Sequence, residues 1–175
     1  MSELHDLDAH AQAAALRTGE ITSVQLVQHH LDRIDAHGDA LGAFVTVTHE
    51  RALARAAEAD ARLAAGDPAP FLGVPTAFKD LTATAGVTTT MGSTLMRDHV
   101  PEVDAHVVTL VERAGFVSLG KTNTPEFGLS SYTDNDVLGP ARTPWDTTRN
   151  AGGSSGGAAA AVAARLLPLA PGSDG

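Results

Sequence analysis

The sequence contains no cysteine. Disulfides, a thiolate nucleophile and cysteine-ligated zinc are therefore excluded. It is also short of positive charge: 12 Lys and Arg stand against 21 Asp and Glu, a formal net charge of −9. That balance argues against a nucleic-acid partner, whose phosphates need a basic face to release their counterions. No apolar run reaches the length of a membrane span. The opening MSELHDLDAHAQAAALRTGE is acidic and lacks the basic segment and apolar core of a signal peptide. The expectation is a soluble cytoplasmic protein without a membrane partner.

Lysine is nearly absent too. Of the 12 basic residues only Lys79 and Lys121 are lysines, and the rest are arginines in polar or helical contexts. Both lysines instead close apolar stretches, GVPTAFKDL and AGFVSLGKTN. A chain that uses arginine for its surface and keeps lysine for such places invites a chemical explanation, with chance as the rival.

What is present fits one globular domain. The chain has 175 residues, 43% of them hydrophobic, enough for a real core. Its first third reads as helical. Thr22 and Gln25 make a capping-box signature, and Val24, Val27, Leu31 and Ile34 recur at helical spacing until Gly38. LGAFVTV alternates as a strand, and Thr48–Ala65 reads as an alanine-rich, mainly solvated helix ended by GDPAP. That stretch suggests a division into an N-terminal helical segment, 1–66, packing on the α/β core of 67–175.

Beyond it, strand and helix alternate. GVPTAFKD reads as a buried strand ending at Lys79, and FVSLGK as another ending at Lys121. Between them Val107, Leu110, Val111 and Ala114 share one helical face, with Gly115 terminating it. The glycine loop then leads into a helix over Ala158–Arg165, and LLPLA reads as a last apolar strand. Such alternation implies an α/β layered fold with a largely parallel sheet, whose ligands bind beyond the carboxyl ends of the strands. Lys79, Lys121 and the terminal Ser-Asp-Gly fall at such ends.

The stretch GGSSGGAAAAVAAR admits several chemistries. Gly152-x-Ser154-x-Gly156 matches the nucleophile elbow of α/β-hydrolases, but that fold places its histidine after the serine. All 8 histidines here precede Ser154. A phosphate cradle would need Lys-Ser or Lys-Thr after the final glycine, where Ala158 and Ala159 stand. A flexible linker fits the composition but not the helix and apolar run that follow at once. The fourth reading pairs serine with lysine, since a buried lysine can lose its proton near neutral pH and act as a base. His29 and His30 are adjacent on a helix and point to different faces, which argues against a shared metal site there. On spacing alone these readings stay open.

The blocks GVPTAFKD, GKTNTPEFG and TPWDTTRNAGGSSGGAAAAVAARLLPLAPGSDG, in this order, resemble successive landmarks of the amidase signature family. The likeness extends to the N-terminal LRTGEITSVQLVQHHLDRI. It implies an α/β/α layered fold around a large mixed sheet, incomplete in this chain. It also implies hydrolysis of carbon–nitrogen amide bonds by a Ser–Ser–Lys triad, with no metal and no cofactor. On the family's pattern Lys79 matches the catalytic lysine. Ser154 matches the bridging serine held by a cis peptide bond, and Ser155 a supporting serine. Gly152, Gly153, Gly156 and Gly157 form the loop, and Gly175 begins the oxyanion hole. The family's nucleophilic serine would be the third residue beyond Gly175. Ser173 only precedes the Asp in the approach to it, and Lys121 is structural or pocket-lining. The resemblance therefore implies the N-terminal portion of a longer amidase, inactive alone.

Small departures are Ala151 where proline is common, Ala158 where serine often follows the glycines, and Pro171 before Gly172. Thr124-Pro125-Glu126-Phe127 stands where the amidase subunit of tRNA-dependent amidotransferases usually reads Met-Asp-Glu-Phe, which favours a stand-alone amidase of small or cyclic amides. The alternatives are that amidotransferase component, or a non-catalytic fragment or binding module of the same fold. The expected partner is a small-molecule amide, and a homodimer is left open.

Overall fold

The computed structural model describes residues 3–173. Helix α1 (Ala9–Thr18) starts at Asp8, whose carboxylate accepts from the Ala11 amide, and stops at left-handed Gly19. Helix α2 (Ser23–Leu41) begins on the expected reciprocal cap between Thr22 and Gln25. It runs past Gly38, where the sequence pattern predicts its end. Gly38 is buried inside the helix, and Gly42 closes it at φ 55°. A side chain at Gly42 would sit 2.3 Å from the Pro140 carbonyl oxygen, so both backbone conformation and close approach favour glycine there.

Strand β1 (Phe44–Val47) precedes α3 (His49–Ala64), and β2 (Pro75–Lys79) follows the GDPAP turn. After α4 (His106–Arg113) comes β3 (Val117–Thr122), then the hairpin strands β4 (Arg142–Thr143) and β5 (Asp146–Asn150), then α5 (Gly156–Ala163). Strand β3 is the centre of a mixed sheet ordered β1-β3-β2. It pairs in parallel with β2, with Lys79 beside Thr122, and antiparallel with β1. The described sheet is thus evenly mixed rather than largely parallel. The parallel pair is joined by the long crossover through α4, and the antiparallel partners β1 and β3 are separated in the chain by α3, β2 and α4.

One core spans the GDPAP turn. Val27, Leu31 and Ile34 of α2 and Ala52 and Ala56 of α3 pack with Ala77, Val117 and Leu119 of the sheet and Ala160 and Ala161 of α5. Arg17 crosses the turn to the carbonyls of Ala69 and Pro70, and the Ser23 hydroxyl donates to Gly73 O.

A further sequence expectation fails. LLPLA is no strand. Leu166 and Leu167 are buried, but the chain there is irregular. Two of its carbonyls are taken by side chains rather than by a neighbouring strand, Leu166 O by His30 and Leu169 O by Thr76. On α4 Val107 is 44% and Leu110 50% exposed, and Val108 is the helix's buried residue. No helix among the described residues is long and apolar enough to cross a membrane.

Candidate active site

Lys79 ends β2, where every side chain is buried, and is itself 3% exposed. Its Nζ lies 2.7 Å from Ser154 Oγ and 3.0 Å from Ser173 Oγ. Two residues far apart in sequence, singled out from the sequence as base and relay, are thus in hydrogen-bond contact. The Gly153–Ser154 peptide is cis.

The loop that presents Ser154 is anchored on all sides. Thr124 Oγ1 donates to Ser154 O, the Thr133 amide donates to Gly152 O, and the Gly156 amide donates to Thr133 Oγ1. The Gly157 amide donates to Asn123 O. The glycines follow from this crowding. A Cβ at Gly156 would lie 2.4 Å from Thr133 Oγ1, and one at Gly157 would lie 2.2 Å from the Asn123 amide nitrogen. The loop is packed backbone against backbone, not a flexible linker.

Ser155 meets a different partner. Its hydroxyl donates to Ser173 O and accepts from the Ser173 amide, so it pins the main chain at 173. Ser173, by the sequence pattern only a residue of the approach, has its hydroxyl in reach of Lys79. Gly175 lies outside the described residues. Sequence reasoning also missed Thr124, Thr133 and Asn123 as supports. Their signal is the polar run after β3: Asn123 donates to Gly42 O and Gly139 O, and Asn135 donates to Asn123 Oδ1.

Lys121 stands apart from the serines. It is fully buried and donates to Thr82 O and to the hydroxyls of Thr84 and Thr89. Burial pushes its amine down to about 8, opposed by the charges of Asp80 and Asp104. It ties a loop, in keeping with a structural place. Among the described residues no three His, Asp or Glu side chains are grouped to hold a metal ion.

What the arrangement offers chemically is an amine in line with a hydroxyl at the end of a parallel strand, where open α/β sheets place their ligands. Comparison with known proteins gives it a context. The sequence model described as Amidase matches residues 25–175. The chain is 54% identical over 161 residues to a glutamyl-tRNA(Gln) amidotransferase subunit of Aromatoleum aromaticum, covering 92% of this chain and 33% of that protein. It superposes on a bacterial aryl acylamidase of the amidase signature enzymes with TM-score 0.92 and 33% identity, covering 97% of this chain and 36% of that one. The peptide amidase of Stenotrophomonas maltophilia gives TM-score 0.87 at 32% identity, over 94% of this chain and 35% of its own. The chain spans about a third of the length of the relatives it matches. The residues that meet around Lys79 are those on which the family resemblance rests, and the chain belongs to the amidase signature family.

Proposed function

We propose that this chain carries the proton-relay part of an amidase. The observation that supports it most directly is the 2.7 Å approach of Lys79 Nζ to Ser154 Oγ, with the lysine shielded from water. In the reaction Lys79, as the neutral amine, accepts the proton of Ser154, while Ser154 takes that of a nucleophilic serine. The nucleophile attacks the amide carbonyl and its electron pair moves onto oxygen, where backbone N–H groups beginning at Gly175 receive it. The proton returns along the same path to the leaving nitrogen as the C–N bond breaks. Water then cleaves the acyl-enzyme to the carboxylic acid. On the family's pattern the nucleophile of the full-length protein is a serine that follows the Gly-Ser-Asp stretch. Ser155 supports the relay by holding Ser173 against it.

The test is amide hydrolysis by the full-length protein. Lys79→Ala and Ser154→Ala should each lower kcat by about 100-fold or more, the usual worth of an acid–base group. Wild-type kcat in either variant would overturn the reading. Turnover by the 175-residue chain, abolished by Ser173→Ala, would move the nucleophile to Ser173.

The substrate is a small-molecule amide. A second reading is favoured by the 54% identity to an amidotransferase component: the amide nitrogen would pass to an acceptor within a larger assembly. Co-purification with other polypeptides of such an assembly, and ammonia release raised by them, would select it. Full activity as a single chain would select the stand-alone amidase suggested by Thr124-Pro125.

A further inference from the structure

Asp80 follows Lys79 in the chain and has no exposed surface. Its Oδ2 accepts from the Thr90 amide at 3.0 Å and from the Thr90 hydroxyl at 2.5 Å, while its Oδ1 has no partner. Its carbonyl accepts from the Met91 amide at 3.0 Å. The turn 90–93 therefore hangs on Asp80 by both side chain and main chain. Within the turn the Gly92 amide donates to Thr90 Oγ1 at 3.1 Å.

That turn is held in an unfavourable shape. Met91 has φ 54°, the left-handed region that costs a non-glycine residue. Its carbonyl accepts at 2.7 Å from the amide of Phe127, itself at φ 50°. Two such residues bonded to each other persist only where the surroundings over-determine them. Here the surroundings are Asp80 on one side and, on the other, Ser93 donating to Glu126 Oε1 at 2.7 Å.

The turn also faces an opening. Gly92 and Thr94 line one wall of a cleft of about 310 Å³, and Tyr132, Asp134 and Asn135 line another. The second wall abuts the loop that presents Ser154, since a Cβ at Gly153 would lie 3.0 Å from the Tyr132 carbonyl carbon. One strand end thus emits two consecutive side chains with different tasks. Lys79 meets the serines, and Asp80 fixes a wall of the neighbouring cleft. Burying this carboxylate with one oxygen unbonded is costly, and the bonds that hold the turn offset part of that cost. Burial pushes the Asp80 carboxyl above its ordinary range, opposed by the Thr90 bond and the Lys121 charge.

We propose that Asp80 is a positioning residue for amide hydrolysis, setting the 90–93 turn as a wall of the substrate cleft at a fixed place relative to Lys79. The proposal rests on the amidase reading above, and it concerns how the amide is presented rather than how its proton moves. Lys121 frames the same segment from the other strand end, through Thr82, Thr84 and Thr89.

The test compares Asp80→Ala, Thr90→Val and Asp80→Asn in the full-length protein, using propionamide and 4-nitroacetanilide as probes. Asp80→Ala and Thr90→Val should raise KM about tenfold and change the ratio of kcat/KM between the two amides, with kcat altered by less than about threefold. Asp80→Asn, which keeps the acceptor for Thr90, should restore most of the loss. A second readout needs no turnover: of the 3 methionines in residues 1–175 only Met91 lies in the turn, so its labelled methyl signal, assigned with Met91→Leu, should shift in the first two variants and return in the third. An unchanged KM and ratio with the Met91 signal in place would overturn the proposal. So would a kcat collapse at constant KM, which would put Asp80 in the relay. Retained activity in Lys79→Ala and Ser154→Ala would instead sink the amidase reading, whatever Asp80 does.

Discussion

His30 illustrates what one residue can impose on this fold. It is fully buried on α2, and its Nδ1 lies 2.9 Å from Leu166 O, so that nitrogen carries the proton. Its Nε2 is then free to accept from the Gln12 amide at 3.1 Å. Burial, with the His29, Arg33 and His5 charges adding to it, lowers the imidazole to about 4, although the Leu166 bond opposes this. The folded value lies below the unfolded 6.5. The stabilisation from this residue is thus fully present above 6.5 and is lost as pH falls through about 4, amounting to about 3 kcal/mol. Urea melts of the wild type and His30→Gln at pH 7 and pH 4.5 check this. The variant should be less stable by about 1–2 kcal/mol at the higher pH, through the lost bond, and the gap should close or reverse at the lower, where the wild type has lost more than about 2 kcal/mol that the non-titrating variant keeps. An unchanged gap would show that His30 is not the titrating group. At this scale the site was half legible. Lys79 and Ser154 stood out by scarcity, glycine context and family pattern. The contact of Ser173 with Lys79 did not, because it depends on an irregular return of the chain that no local pattern encodes.

At the scale of the element, legibility followed how local the cause is. The α2 cap is written in Thr22 and Gln25, and the strands that carry Lys79 and Lys121 in mainly apolar runs between turn signals. LLPLA carries the same kind of run, yet a strand needs a pairing partner, and here side chains of α2 and β2 take the carbonyls instead. Gly38 misled because glycine stops a helix only when the backbone turns left-handed, and Gly42 does that. Helix α5 gives a sharp test of the glycine loop. At Gly157 an added Cβ meets the Asn123 amide nitrogen at 2.2 Å and Ala43 O at 2.6 Å, backbone atoms that cannot step aside. At Gly152 nothing lies within 4 Å, but φ is +82°. Gly157→Ala gains up to about 1 kcal/mol of helix propensity against an overpacking cost of about 3 kcal/mol or more, so the clash wins. Gly152→Ala should cost only about 1–2 kcal/mol, from the backbone alone. Denaturant midpoints should rank wild type, Gly152→Ala, Gly157→Ala, and the reverse order of the two variants would refute the packing argument.

At the scale of the whole molecule the question is how firmly the helical segment 1–66 is joined to the core of 67–175 on which the sequence expects it to pack. Residues from both sides share one core, with α2 and α3 packed on the sheet and on α5. His30 and Arg33 of α2 also hold the chain just after α5, at Leu166, Arg165 and Ala164. Neither part can leave without exposing the other's apolar face, which makes a single cooperative transition the expectation. The lysine scarcity supplies the probe. Lys79 is 3% and Lys121 0% exposed, so an amine-reactive reagent should modify neither in the native state. Pulse labelling along a urea gradient should make both lysines reactive at the midpoint where the helical circular dichroism is lost. Helical signal disappearing while both lysines stay shielded would mean that the N-terminal helices unfold on their own. Lysine labelling at full helical signal would mean that the sheet ends open locally, in which case Lys79 would not be held against Ser154 firmly enough for the proposed relay.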